Sequence, residues 1–224
     1  MRRKSRVKVF TDKYPLIGPI VWVLSIQYFA AQFIAAYAWP QAYSWGNNAI
    51  SDLGSTACGL SGGRYVCSPD HALMNASFIM LGITMAVGSW LIYQEFRESK
   101  ASLIGFACMA AAGFGTLLVG LFPENTVAWM HDIGAFLALG IGNVSLIILA
   151  IALRRVHLFF RIYTLVSGAV SLAAFVLFAT QIYLGLGLGG MERLVSYPQT
   201  IWLVMFGIYM SSTHIYRRRT KVVS

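Results

Sequence analysis

Four stretches of this sequence carry residue types from which a site could be built. The first is Asn48-Ala49-Ile50-Ser51-Asp52-Leu53-Gly54, where an amide and a carboxylate bracket a serine. The second is His71 with Asn75, four residues apart and so on one face of a helix. The third is Glu124 followed by His131 and Asp132, and the fourth is the pair Glu192-Arg193. Carboxylates, imidazoles and a guanidinium together can move protons, ligate a metal or hold a phosphate.

Each of these chemistries makes a specific demand. His71, His131 and Asp52 would give zinc three ligands and leave a fourth position for water, an arrangement suited to hydrolysing a lipid ester or amide. Neither H-x-x-x-H nor H-E-x-x-H occurs, so zinc rests on residue type rather than on spacing. Ser51, His71 and Asp132 are the members of a serine-hydrolase triad, but no G-x-S-x-G elbow is present, and Ser51 reads as a turn residue beside Asp52. In the binding reading Arg193 meets a phosphate while Asp52, His71, Asn75 and His131 line the site. A proton relay would need ionisable groups at membrane depth. Mid-helix positions offer Gln27, Gln32, Thr116 and Asn143, and Asn143 falls on nearly the same helical face as Asp132. Taken singly, each charged group is read as a cap or a loop tie. Taken as a cluster, they mark a site.

The elements that must position these groups are membrane helices. The chain has 224 residues, 58% hydrophobic and 11% charged, where a soluble domain carries about 25% charged residues. A span needs ~20 mainly apolar residues, and the sequence divides into six such stretches. The expected fold is an all-α integral membrane protein, a bundle of six transmembrane helices over about 15–39, 69–93, 101–122, 126–153, 157–184 and 197–216. Residues 1–14 form a basic segment, 40–68 the longest loop, and 217–224 a basic tail; 15–216 is the transmembrane domain. Pro15 and Pro19 suit first turns and Pro40 ends the first helix. Ser68-Pro69-Asp70 reads as a cap, a first helical position and a dipole-matched acid. The glycines at 185, 187, 189 and 190 mark a loop before the last helix, with Glu192 and Arg193 in it. The first apolar run is long enough to span and is read as a helix rather than as a cleaved leader.

Charge supplies the orientation. An even number of crossings puts both ends on one side, and that side collects 15 of the 17 basic residues; only Arg64 and Arg193 fall opposite. The positive-inside rule makes the basic side cytoplasmic and both termini cytoplasmic, in the cell membrane. The net charge of +9 therefore reads as topology and not as a nucleic-acid surface. Asp52, Asp70, Glu124, Asp132 and Glu192, with His71 and His131, lie at the outer side. His157 and His214 lie at cytoplasmic helix ends, where cations are favoured.

Small residues at four-residue spacing let helices approach in lipid. Gly134, Ala138 and Gly142, Ala107, Ala111 and Gly115, and Thr164, Ser167 and Ser171 are expected to face inward. Cys58 and Cys67 share the outer loop, where a disulfide would close it, and Cys108 is a packing residue. Asn75-Ala76-Ser77 matches a glycosylation sequon, but its place inside a membrane helix discounts it.

The outer-loop string 48–54 resembles one in a large group of uncharacterised prokaryotic membrane proteins, catalogued as a domain of unknown function. The likeness extends to Asn75, to Phe122-Pro123-Glu124 followed by His131, and to Gly190-Met191-Glu192-Arg193 before Trp202. That group is similar in plan to the six-helix DRAM, Sfk and FGF-receptor-activating-protein group, whose eukaryotic members are linked to lipid remodelling, membrane-lipid organisation and autophagy. The resemblance implies six helices and an outward-facing polar cluster. A more distant likeness to alkaline-ceramidase-type hydrolases lacks the paired C-terminal histidines of that type.

The leading functional reading is a membrane protein that binds or organises a lipid, or a membrane-protein partner including a second copy of itself, at its outer face. Its site is Asp52, His71, Asn75, Glu124, His131, Asp132, Glu192 and Arg193. The alternatives are a membrane-embedded hydrolase or lipid-remodelling enzyme using the same cluster, with zinc as its cofactor, and a small-solute transporter.

Overall fold

The computed structural model describes residues 6–223, with side chains over 7–216. Residues 1–5 of the basic N-terminal segment, residue 224 and the side chains of the basic tail from 217 lie outside the described residues. The helices are α1 (Arg6–Lys13), α2 (Ile17–Tyr37), α3 (His71–Tyr93), α4 (Lys100–Leu121), α5 (Ala128–Ala152), α6 (Leu158–Ala179) and α7 (Gly187–Val223). Five of them, α2 to α6, are long and apolar enough to cross a membrane. The protein is thus membrane-embedded, and its surface agrees: Phe33, Trp90, Ile104, Phe114, Ile151 and Phe159 are among many large apolar side chains left exposed. Consecutive helices pack side by side, α3 with α4 most extensively, and α7 returns to α2, which closes a ring.

Close backbone approach holds the ring together. A side chain at Gly82 would strike the Gly113 carbonyl, one at Gly115 would strike Gly134, and one at Gly207 would strike Pro19. In lipid such contacts replace hydrophobic burial as the packing force. Buried polar side chains add ties between helices. The hydroxyls of Ser25 and Thr84 lie 3.0 Å apart, the Trp202 indole donates to Thr164 at 2.7 Å, and Tyr197 donates to Gln32 at 2.8 Å. The half of the core away from the 40–68 segment is aromatic. Trp22, Phe106, Trp202 and Phe206 are buried, and the Trp202 and Phe206 rings stack at 4.9 Å.

Several elements depart from the sequence reading. Ser68 does not cap α3: its hydroxyl donates to the Leu53 carbonyl at 2.7 Å, and Asp70 takes the cap position without a side-chain bond. The fifth helix ends at Ala179, before the backbone turns left-handed at Gln181, Leu184, Gly185 and Gly187. The last helix begins at Gly187, so Glu192 and Arg193 sit on its first turns rather than in a loop. Ala107 is exposed, and the packed face of α4 carries Gly105, Met109, Gly113 and Thr116 instead. In α5 a π-helical stretch, Phe136–Ile141, interrupts the α pattern. Its wider turn shifts the helical phase, leaving Asp132 exposed and Asn143 buried against the carbonyls of Leu139 and Val195. The expected polar track from Asp132 to Asn143 is therefore not formed.

Candidate functional site

The segment after α2 folds down onto one end of the helix ring. A short 3₁₀ turn, Ser51–Gly54, carries Asp52 inside, and a hairpin of β1 (Gly59–Ser61) and β2 (Arg64–Val66) covers it. Cys58 and Cys67 occupy the position next along the ladder from the Gly59–Val66 pair, and a disulfide joins them with their Cα atoms 4.2 Å apart. The hairpin aims Arg64 at Asp52.

Asp52 is fully buried. Its two oxygens take a bidentate pair from Arg64, Nη2 to Oδ1 at 2.6 Å and Nε to Oδ2 at 2.7 Å. The backbone N–H of Ala49 and the Asn48 amide also donate to Oδ2, at 2.9 and 3.3 Å. A buried carboxylate is tolerated only when paired and hydrogen-bonded in this way. Asp52 in turn keeps the Arg64 guanidinium firmly protonated.

Glu124, in the turn between α4 and α5, lies against Asp52 and the Ser51 hydroxyl. Burial, and next the neighbouring Asp52, push its carboxyl up to about 7. Two carboxylates in contact cannot both ionise cheaply, and Asp52 already has its cation. Asn125 fastens the same turn to the segment after α2 through Thr56, with bonds of 3.0 and 2.9 Å.

Arg193 is 8% exposed and closed in on all sides. One terminal nitrogen donates to the carbonyls of Trp45, Asn48 and Gly189 at 2.8–2.9 Å; the other donates to the Tyr43 hydroxyl at 2.5 Å. The guanidinium also lies over the Trp45 ring, 4.8 Å from its centroid. This overturns its expected role on a phosphate: Arg193 organises segment 43–48 from within. Glu192 beside it accepts the Ile50 N–H at 2.6 Å. The motif 48–54 is thus held by an acid and a base on successive residues of α7.

The other expected residues disperse. Asn75 donates to the Gly54 carbonyl at 2.8 Å and fixes the end of the 3₁₀ turn. The Nδ1 of His71 meets the Ser68 carbonyl at 2.9 Å, which locks the ring to the start of its own helix. The Nδ1 of His131 meets the Phe122 carbonyl at 2.9 Å. Asp132 faces outward. The expected zinc set of His71, His131 and Asp52 does not assemble, because each is turned to a different local partner. Among the described residues no group of three His, Cys, Asp or Glu side chains is placed to hold a metal ion. Ser51, His71 and Asp132 do not converge as a triad for the same reason.

Beneath the cluster, a cavity of about 60 Å³ runs into the ring. Ser51, His131, Glu192, Ser196, Gln199 and Thr200 form its polar wall, and Phe78, Leu81, Met85, Val119 and Leu139 its apolar one. The Ser196 hydroxyl and the Gln199 carbonyl oxygen are buried without a hydrogen-bond partner. Residue type and spacing alone assign no role to Tyr43, Arg64, Ser196 or Gln199. For Arg64 the signal was present, since it was one of two basic residues on the carboxylate-rich side.

No curated protein and no solved structure matches the chain. One family does, over residues 23–209, from the middle of α2 well into α7, and it is described as a protein of unknown function, DUF998. With so much of the chain matched, the protein belongs to the DUF998 family of unknown function.

Proposed function

We propose that this protein crosses the cell membrane six times with both termini in the cytoplasm, and that it binds the uncharged, hydroxyl-bearing head of a lipid in the cavity under its outer cluster. The observation that carries this reading is that Ser196 and Gln199 line a mostly apolar cavity while Ser196 Oγ, beside Tyr28, and Gln199 Oε1, against Gly142, are buried without a hydrogen-bond partner. A buried polar atom without a partner costs about 1–3 kcal/mol, and a hydroxyl donated by a ligand would recover it. Size limits the ligand. A volume of about 60 Å³ holds about four to six water-sized groups at roughly 10–15 Å³ each, which fits a small head and not a sugar or phosphocholine. The resemblance to six-helix proteins linked to lipid remodelling supports the same class of ligand.

The test is native mass spectrometry of the purified chain for retained neutral lipid. Gln199→Leu and Ser196→Ala should each weaken retention about tenfold, the equivalent of one buried hydrogen bond. Retention unchanged in both variants, at an unchanged thermal midpoint, would sink the reading.

A second reading, a lipid-remodelling hydrolase, is favoured by the contact of Asp52 and Glu124, because a carboxyl near 7 suits a general acid or base. It is distinguished by Glu124→Gln, which would then abolish lipid turnover and leave the retained lipid in place. The buried aromatic layer of Trp22, Phe106, Trp202 and Phe206 below the cavity counts against a solute path.

A further inference from the structure

At the opposite, basic end of the ring, a groove of about 330 Å³ opens between the start of α4 and the end of α5. We propose that it binds the phosphate of an anionic phospholipid. Its polar wall is Glu98, Ser99, Arg154 and Arg155, and its apolar wall is Phe96, Ala101, Ile151 and Ala152. These residues lie at the ends of two membrane-spanning helices, and hence at the level of lipid headgroups.

The two guanidiniums are available in different ways. Among the described residues the Arg154 side chain has no ion-pair or hydrogen-bond partner. Arg155 holds Glu98 at 2.5 Å, but both side chains are more than half exposed. Such a pair contributes at most about 1 kcal/mol, so a phosphate, which binds guanidinium bidentately, can displace the carboxylate. The first turn of α4 borders the same groove through Ser99 and Ala101, and the Ser99 hydroxyl caps the N–H of Ser102 at 3.0 Å. The positive end of that helix adds to the two arginines. Ile151, in that wall, is more than half exposed and offers an apolar surface to an acyl chain. A soluble anion would use the arginines alone, whereas a phospholipid uses both walls. The groove is independent of the outer cavity and of the lipid proposed there.

The experiment is native mass spectrometry of the full chain incubated with phosphatidylglycerol or with phosphatidylcholine, in the presence and absence of millimolar inorganic phosphate. Phosphatidylglycerol should be retained preferentially and should resist displacement by free phosphate. Arg154→Ala with Arg155→Ala should lower that retention at least about tenfold and leave phosphatidylcholine binding unchanged. Arg154→Gln alone, which breaks no ion pair, should give a partial loss, and Glu98→Gln should raise retention by freeing Arg155. Equal binding of the two lipids, full displacement by inorganic phosphate, or a double variant of unchanged thermal midpoint that keeps its phosphatidylglycerol would each overturn the proposal.

Discussion

Glu124 is the residue whose chemistry its neighbours alter most legibly. Asp52 takes the bidentate pair from Arg64 and two further donors, so the carboxylate charge of the site settles there. Glu124, buried beside it, is left to hold a proton up to about 7, well above the ordinary 4.5. The sign of the linkage follows. Between those two values the folded protein keeps a proton that the unfolded chain has released. The stabilisation is therefore complete below about 4.5 and is lost as the pH rises through about 7. The thermal midpoint of the detergent-solubilised protein should fall across that interval. Glu124→Gln, neutral at every pH, should lessen the fall, the remainder being due to the buried carboxyl of Glu192. A Glu124→Gln profile that falls as steeply as the wild type between about pH 5 and 8 would show that Glu124 is ionised throughout. Sequence reasoning found Asp52, Glu124 and Glu192 as a group because carboxylates near a membrane boundary stand out by type. It could not assign Arg193, because nothing in residue type says whether a guanidinium will face solvent or its own backbone carbonyls.

Helix starts were the least legible elements, and α7 shows why. Glycines at 185, 187, 189 and 190 are the composition of a loop. Gly185 and Gly187 behave as one, with φ near +80° and +75°. Gly189 and Gly190 do not: they lie within the helix and let it touch the outer segment, where the Gly190 N–H donates to the Gly46 carbonyl at 3.0 Å. A side chain at Gly189 would collide with the Asn48 carbonyl, the same carbonyl that Arg193 holds. An alanine in place of a helical glycine normally stabilises by about 1 kcal/mol. Here the sign should reverse. Gly189→Ala should lower the thermal midpoint and loosen segment 43–48, seen as faster hydrogen exchange at Asn48 and Ala49. A midpoint that rises would mean that the contact is slack. The π-helical stretch in α5 was hidden for a related reason. It changes which face Asn143 presents without changing composition, and a period of 3.6 carried across it puts Asn143 on the wrong side. By contrast, the body of each apolar helix was legible, because about 20 residues of apolar composition admit little else in a chain this poor in charge.

The number of crossings is decided by the whole ring and not by any one helix. Hydropathy averages a helix over both faces, and by that measure five helices qualify while α7 does not. Its two faces differ. Ser196, Gln199 and Thr200 are buried against the cavity, whereas Ile201, Met205 and Ile208 are exposed on the outside. The polar residues that lower its hydropathy therefore never meet lipid, and the face that would meet lipid is as apolar as those of its neighbours. At its centre Trp202 and Phe206 interlock with Trp22 of α2, at 5.3 and 5.8 Å between ring centroids. That α7 shares a buried aromatic layer with one span and packs against another supports the proposal that it lies at the same depth. The six crossings proposed above would return the C-terminus to the side of the N-terminus, with the disulfide-closed hairpin opposite. Reporter fusions test this directly. Alkaline phosphatase inserted between Gly62 and Gly63 at the hairpin tip should be active, and the same enzyme after the C-terminus should be silent, while a fluorescent protein placed there should glow. An active phosphatase at the C-terminus would remove α7 from the membrane. It would leave the Glu192–Arg193 pair beside the outer segment, but it would take Trp202 and Phe206 out of the aromatic layer that they share with Trp22.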